Sequence, residues 1–195
     1  LIEANLDLER GGRVFDTFRE QWDVLALNIL YSLQLLVTGF AIGMAAAFDE
    51  DMMEQVGNAI GVEARGKYNM CRAHGDRDIF KGLTVWAPNI NIFRDPRWGR
   101  GHETYGEDPF LTSRLGVRFV EGMQGDDPDY LQAAACAKHF AVHSGPESDR
   151  HHFNAIVSKQ DLWETYLPAF RALVKEAGVE AVMGAYNRTN GEPCC

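Results

Sequence analysis

The stretch that decides the fold is LTVWAPNINIFRDPRWGRGHETYGEDP, residues 83–109, in which a short apolar run leads directly into a polar loop. The run Leu83–Trp86 has the composition of a β-strand. Within Asn91–Pro109, three glycines and two prolines interrupt any helix and set tight turns. Fixed charges and aromatic rings in such a loop suit a polyhydroxylated ligand, although the same composition also fits a solvated, salt-bridged surface loop.

Two later segments repeat this arrangement of an apolar run and a polar sequel. Ala133–Ala137 is followed by Lys138 and His139, and Ala181–Ala185 is followed by the polar segment 186–188. We predict that all three apolar runs are β-strands whose ends carry the polar residues. Taken alone, Lys138 and His139 also fit a capped strand end with a histidine bonded to the backbone.

Helical signals separate the strands. Asp49 is a suitable N-cap for a helix that runs to about Asn69, and Asp108 precedes a second helix that begins at Pro109 and ends at Gly125. Ser158 and Asp161 form a capping-box pattern for a third, which ends at Gly178. The predicted buried faces are Met52, Val56, Ile60 and Ala64; Leu111, Leu115, Phe119 and Met123; and Leu162, Tyr166, Phe170 and Val174. Trp86 and Trp163 are predicted to be core residues.

The alternation of helices and strands predicts an α/β fold with a parallel sheet, either doubly wound or a (β/α)8 barrel. In a barrel, the carboxyl ends of all strands share one face, and that face carries the active site. The three polar clusters would then converge on one pocket. No glycine-rich phosphate turn follows a strand, so a nucleotide-binding fold is not favoured.

Composition narrows the class of partner. The net charge of −9 and the pI of about 5.1 argue against nucleic acid and against anionic membranes, which both require basic surfaces. The uncharged segment Val24–Phe48 is long enough for a membrane span, but its polar residues, glycines and acidic flanks favour a buried core segment. We read the four cysteines as free thiols, which favours a reducing compartment: Cys71, Cys136, Cys194 and Cys195.

Three motifs together resemble the N-terminal domain of glycoside hydrolase family 3, which comprises β-glucosidases, β-xylosidases and related retaining enzymes. They are FRDPRWGRGHETYGEDP (93–109), AAACAKHFAVHSGPESDRHHFNAIVS (133–158) and EAVMGAYNRTNGEPC (180–194). The resemblance covers residues 41–195. Residues 1–40 form a divergent segment that does not match the family, which either a divergent end or a translation frame error would explain. The resemblance implies a partial (β/α)8 TIM-type barrel with roughly the first five units.

The resemblance also implies which residues bind sugar. In such enzymes the pocket is lined by residues that here match Arg100, Lys138, His139 and Tyr186. Xylosidase-like members of the family have additional polar contacts, and the matching residues here are Glu147 and Arg150. Arginine and lysine donate well to sugar hydroxyls. Arg94 and Arg97 are expected to hold the loop through ion pairs. The resemblance implies no cofactor and no metal, and the spacing of His143, His151 and His152 fits no common metal site.

The implied reaction is hydrolysis of terminal β-D-glucosidic or β-D-xylosidic bonds by a retaining mechanism. Such enzymes need a nucleophile and an acid/base, both carboxyl groups. The family's motifs place both beyond Cys195, so we expect no catalytic residue in this chain and no activity from it in isolation. Four carboxylates are candidates by type only, and none matches the nucleophile: Glu103, Asp108, Glu147 and Asp149.

Two alternatives stay open at this point. A truncated barrel could bind carbohydrate without cleaving it, and a membrane-anchored protein could use residues 24–48. The expected partner is an oligosaccharide or β-glycoside, with no nucleic acid. A cytoplasmic location is favoured, while a lost signal peptide would make the protein secreted or periplasmic.

Overall fold

The computed structural model describes residues 41–195, which belong to one compact unit, Val37–Cys195. The predictions for residues 1–40, including most of the apolar segment Val24–Phe48, lie outside the described residues. Among residues 41–195, no helix combines the length and the hydropathy of a membrane span.

Helices and strands alternate along the described chain, as the sequence predicts. The helices are α1 (Ala41–Ala45), α2 (Glu50–Ala73), α3 (Pro109–Gln124), α4 (Lys159–Asp161) and α5 (Pro168–Lys175). The strands are β1 (Thr84–Val85), β2 (Ala134–Phe140), β3 (Asn154–Ala155), β4 (Ala181–Gly184), β5 (Arg188–Thr189) and β6 (Glu192–Pro193). Short 3₁₀ turns lie at Gly101–Glu103 and Glu147–Asp149.

The three predicted strands form one parallel sheet in the order β1-β2-β4. Helices α2, α3 and α5 contribute to the main core against it, where Leu115, Met123 and Leu173 are fully buried. The second strand extends further than Ala137 because Lys138 continues the pairing, with a parallel bridge to Asn89 and a register shift before Phe140. Lys138 and His139 are therefore inside the end of the strand rather than after it.

The predicted caps of the first two long helices are confirmed. Asp49 accepts a hydrogen bond from the Met52 backbone N–H at 2.9 Å, and Asp108 accepts one from the Leu111 N–H at 2.6 Å. Leu115, Phe119 and Met123 are buried as predicted. These caps satisfy amide groups that have no partner within their own helix.

Glycines let α2 and α3 lie unusually close. The buried stripe of α2 is centred on Met53, Gly57 and Gly61, one residue beyond the predicted stripe. A Cβ atom on Gly57 would lie 2.3 Å from the Phe119 carbonyl oxygen, and one on Gly122 would lie 2.0 Å from the Glu54 carbonyl oxygen. Only glycine fits at such separations, so backbone packs against backbone along this seam.

The third predicted helix is interrupted. Ser158 caps α4 as predicted, but a π-helical turn at Leu162–Tyr166 intervenes before Pro168 begins α5. Proline lacks the N–H that a continuous helix requires, and a π turn adds a residue that shifts the helical phase. Phe170 is buried as predicted, but the next buried residue is Leu173, three positions on, whereas Val174, predicted to be buried, is 51% exposed.

The two tryptophans predicted to be in the core are on the surface, each 60% exposed. Val85 packs against the core, so strand alternation directs Trp86 to the opposite face of the sheet. Trp163 is adjacent to Leu162, which packs into a small second cluster with Val142 and Ala155. The sequence periodicity did not distinguish these faces.

A second, small sheet follows in the order β3-β5-β6. Asn190 and Gly191 join β5 and β6 with positive φ angles of 52° and 88°, as a two-residue hairpin turn requires. The Asn190 side chain accepts from the Val157 N–H and donates to the Val157 carbonyl, and the Gly191 N–H donates to Asn154 Oδ1. The turn is thus tied to the neighbouring strand by side-chain amides.

Candidate functional site

The ends of β1, β2 and β4 bring the predicted sugar-binding residues into one neighbourhood. Lys138 and His139 end β2, while the polar loop after β1 supplies Arg100 and the segment after β4 supplies Tyr186. Arg100 lies within electrostatic range of both Glu147 and Tyr186. Parallel strands direct their carboxyl ends to one edge of the sheet, which is why residues so far apart in sequence meet here.

The side chain of Arg100 is held by Glu103 in a two-point ion pair. Its Nε and Nη2 atoms donate to the two Glu103 carboxylate oxygens, both at 2.6 Å. This hydrogen bonding raises the pKa of Arg100. Burial opposes ionisation of Glu103, but the hydrogen bonds and charge of Arg100 outweigh it and lower the pKa of that carboxyl. The pair therefore presents a fixed, permanently charged guanidinium.

His139 lies between Arg100 and Asn91. Its Nδ1 is 3.1 Å from Asn91 Oδ1, and its Nε2 is 3.4 Å from Arg100 Nη1. Burial, followed by the nearby His143 and cationic side chains, lowers the pKa of His139 to about 2. The imidazole is therefore neutral at physiological pH. It cannot act as a cation toward substrate, and its polar atoms serve as hydrogen-bond partners.

Lys138 is a second cation at this edge. Burial is the largest cause of its lowered pKa, and the positive charge of Arg100 lowers it further. The negative charge of Glu103 raises the pKa of Lys138, so a single carboxylate interacts with both Arg100 and Lys138. A partly desolvated ammonium group offers three donors for sugar hydroxyls.

His143 repeats the environment of His139. Its Nδ1 is 3.0 Å from Asn187 Oδ1, and its ring centroid is 4.6 Å from that of His139. The Trp98 ring packs edge-on against it at 5.8 Å. Burial lowers the pKa of His143. Among residues 41–195, no three side chains of metal-ligating type lie close enough together to hold a metal ion.

Glu147, Arg150 and Tyr186 lie nearer to the surface. Arg150 donates to Glu147 Oε1 at 2.7 Å, and Glu147 packs directly against Gly99. Tyr186 is 65% exposed and its ring lies 4.8 Å from that of His151. The geometry brings these three residues to the rim of the arrangement, whereas Arg100, Lys138 and His139 form its partly buried centre.

Of the other two arginines of the loop, Arg97 forms the predicted ion pair, whereas the ion pair predicted for Arg94 is not found among the described residues. Arg97 pairs with Asp95, whose pKa falls to about 2 because of hydrogen bonds from Arg97. Arg94 donates to Ser144 Oγ at 2.7 Å, and its guanidinium packs over the Phe153 and Tyr166 rings. The Arg94 contact ties the loop to Ser144, in the segment after β2, whereas the Arg97–Asp95 pair is local to the loop.

Several residues central to this geometry were not predicted as site residues. Asn91 and Asn187, at most 2% exposed, orient the two histidines, and Glu103 positions Arg100. The signal available in the sequence was the presence of asparagine directly after an apolar strand, where an unpaired amide would be costly. All four cysteines are free thiols, as predicted.

Comparison with known proteins identifies the family. The model for the glycosyl hydrolase family 3 N-terminal domain matches residues 37–195. This chain belongs to glycoside hydrolase family 3. It is 53% identical to a xylan 1,4-β-xylosidase of Xylanibacter ruminicola over 165 residues, 82% of this chain and 19% of that protein. It is 44% identical to β-D-xylosidase 3 of Arabidopsis thaliana, over 77% of this chain and 19% of that protein.

Solved structures of the family superimpose on the described fold. An exo-β-xylosidase (XlnD) in complex with a xylobiose aziridine probe gives a TM-score of 0.68 at 36% identity, over 80% of this chain and 20% of that one. The β-glucosidase from Listeria innocua in complex with glucose gives 0.65 at 33% identity, with the same coverage of each. The chain thus spans about a fifth of the length of these family 3 relatives.

Proposed function

We propose that the protein hydrolyses terminal β-D-xylosidic or β-D-glucosidic bonds with retention of configuration, and that this chain contributes the sugar-holding part of the site. Relatives with these activities in their names support the reaction class. The observation that carries the proposal is the cluster of Arg100, Lys138 and His139 at the carboxyl ends of parallel strands. It combines two cations with a neutral imidazole, a set suited to sugar hydroxyls.

The same likeness supports a finer proposal about the fold. The parallel order β1-β2-β4 and the α-helices packed on one side fit consecutive units of a (β/α)8 barrel. On this proposal, residues 41–195 correspond to roughly the first five units. The barrel would bring the polar strand ends to the rim of a single pocket.

We further propose that the nucleophile and the acid/base are supplied from outside this chain. The carboxylates nearest the cluster are engaged by arginines, with Glu103 bound at two points by Arg100 and Glu147 bound by Arg150. A general acid needs a raised pKa, whereas that of Glu103 is lowered. These contacts suit carboxylates that position other groups. They also support the alternative that this chain alone binds sugar without cleaving it.

Arg100→Ala in the intact protein tests this proposal, with kcat/KM measured on aryl β-D-xylosides and β-D-glucosides. Loss of one or two charge-assisted hydrogen bonds is expected to reduce kcat/KM roughly tenfold to a hundredfold. Arg97→Ala is the matched control, because Arg97 lies in the same loop, its side chain is 74% exposed, and it forms an ion pair with Asp95 outside the cluster. Equal kcat/KM values for the Arg100 variant and the wild type would refute the assignment.

A further inference from the structure

The side-chain amide of Asn91 has only one possible orientation. Its Nδ2 donates to two backbone carbonyls, those of His139 at 2.8 Å and Ala141 at 3.2 Å. Its Oδ1 accepts from the backbone N–H of His139 at 2.9 Å. Exchanging the oxygen and nitrogen would put oxygen against two carbonyls and nitrogen against an N–H, losing all three bonds.

This orientation determines where the proton of His139 resides. The atom 3.1 Å from His139 Nδ1 is Asn91 Oδ1, which can only accept, so Nδ1 must carry the hydrogen. A neutral imidazole has one N–H, which leaves Nε2 with a lone pair. That lone pair faces Arg100 Nη1 at 3.4 Å, where the opposite tautomer would set one N–H against another.

The consequence reaches Arg100. Of its five N–H groups, those on Nε and Nη2 that face Glu103 are used, and one on Nη1 is directed at His139. The guanidinium is thereby held from two sides, and residues 41–195 leave its other two N–H groups available for a ligand. Without an acceptor at Nε2, only Glu103 would fix the guanidinium plane.

We propose that Asn91 is a positioning residue for sugar binding: it selects the Nδ1–H tautomer of His139 and so aligns Arg100 toward the sugar. The identity of the ligand in this proposal rests on the proposed function, whereas the geometry does not. Asn91 is 2% exposed and acts on the sugar indirectly, through His139 and Arg100. Its role is therefore distinct from theirs.

Two substitutions separate this role from the role of tying the backbone. Asn91→Ala removes both the donors to the carbonyls and the acceptor for Nδ1. Asn91→Asp removes the same donors but keeps an oxygen that accepts from Nδ1–H. If Asn91 acts through the tautomer, Asn91→Asp should retain most of the affinity that Asn91→Ala loses.

The experiment combines neutron diffraction with kinetics on the intact protein. In the wild type, hydrogen is expected on His139 Nδ1 and not on Nε2; hydrogen on Nε2 would overturn the proposal without any variant. In kinetics on an aryl β-D-xyloside, Asn91→Ala is expected to raise KM about tenfold, equivalent to about 1.4 kcal/mol, with a smaller effect on kcat and substantial recovery in Asn91→Asp.

The remaining outcomes are also decisive. Equal loss in both variants would mean that Asn91 merely ties the backbone, which overturns the proposal and leaves the proposed function intact. A wild type that cleaves no β-glycoside would refute the proposed function. The position of Arg100 in crystals of Asn91→Ala would then decide the positioning role: a displaced guanidinium supports it, and an unchanged one overturns it.

Discussion

At the residue scale, the site depends on keeping two imidazoles neutral inside the protein. The rings of His139 and His143 lie next to each other at a tilt of 44°, and each directs Nδ1 at an asparagine oxygen. An additional proton on either ring would be buried close to Arg100, Lys138 and Arg150. Two such buried neutral histidines make stability dependent on pH.

This arrangement predicts a loss of stability in mild acid. The pKa of His139 falls from about 6.5 unfolded to about 2 folded, so below pH 6.5 only the unfolded state gains the proton. The free energy of unfolding should be unaffected by this group above pH 6.5 and should decrease toward pH 2, by up to about 1.4 kcal/mol per pH unit. Urea unfolding at pH 7.5 and 5.5 measures it. His139→Gln should reduce the difference, whereas the exposed His152→Gln should not.

At the site, the residue types could be predicted from the sequence more easily than the contacts between side chains. Polar residues after apolar strands predicted that three segments would converge, and the resemblance to glycoside hydrolase family 3 identified Arg100, Lys138 and His139 as candidates. Asn91 and Glu103 were harder to recognise, because an asparagine that orients a histidine looks the same in sequence as one that caps a turn. Their roles depend on which atom faces which, and only the fold determines that.

At the element scale, the close contact between α2 and α3 is the least tolerant packing in the described chain. Gly57 and Gly122 lie where a Cβ atom would meet backbone rather than a flexible side chain. A helix normally loses about 1 kcal/mol of stability for each internal glycine relative to alanine. The close approach offsets that loss through contact between the two helices along their length.

Gly57→Ala is therefore expected to destabilise the protein by about 1–3 kcal/mol despite its better helix propensity, because backbone must move to admit the methyl group. Gly66→Ala on the same helix is the matched control, since no atom lies within 4 Å of its would-be Cβ. That variant should be neutral or more stable by up to about 1 kcal/mol. Thermal melts of both variants compare them; an equal or higher melting temperature for Gly57→Ala would disprove the tight seam.

The types of element were predictable here, but which residues of each helix face the core was not. The two long helices and three parallel strands follow from caps and apolar runs. The predicted third helix took no account of the break before Pro168, and four-residue spacing placed Val174 rather than Leu173 in the core after Phe170. Likewise, the buried stripe of α2 includes glycines that hydrophobic periodicity does not count.

At the scale of the whole molecule, the described sheet packs helices against one face and leaves some apolar side chains exposed, Trp86 among them. Strand β4 is an edge strand in the part of the chain that the structure describes, and its Val182 is 46% exposed. Open edges with apolar side chains favour association between chains. The 195-residue chain expressed alone is therefore expected to be poorly soluble.

A charge on this edge should improve solubility without changing the core. Val182→Lys is expected to increase the soluble fraction of the isolated 195-residue chain, because a lysine on an edge strand opposes pairing with a second sheet. Val62→Lys is the control: Val62 is 55% exposed but lies on helix α2, away from any strand. Sedimentation of the two variants measures the effect. Equal gains would show that net charge, rather than the strand edge, controls association.

The Asn190-Gly191 hairpin turn has a consequence for the chemical ageing of the protein. In an asparagine-glycine pair, the glycine backbone nitrogen readily attacks the asparagine side chain and releases ammonia. Here the Gly191 N–H donates a hydrogen bond to Asn154 Oδ1, and the side-chain oxygen and nitrogen of Asn190 are both hydrogen-bonded to the backbone of Val157. Folding thus keeps the two reacting groups apart. Mass spectrometry of stored samples should find deamidation at Asn190 mainly in chains that have unfolded, which would make this site an internal record of past unfolding.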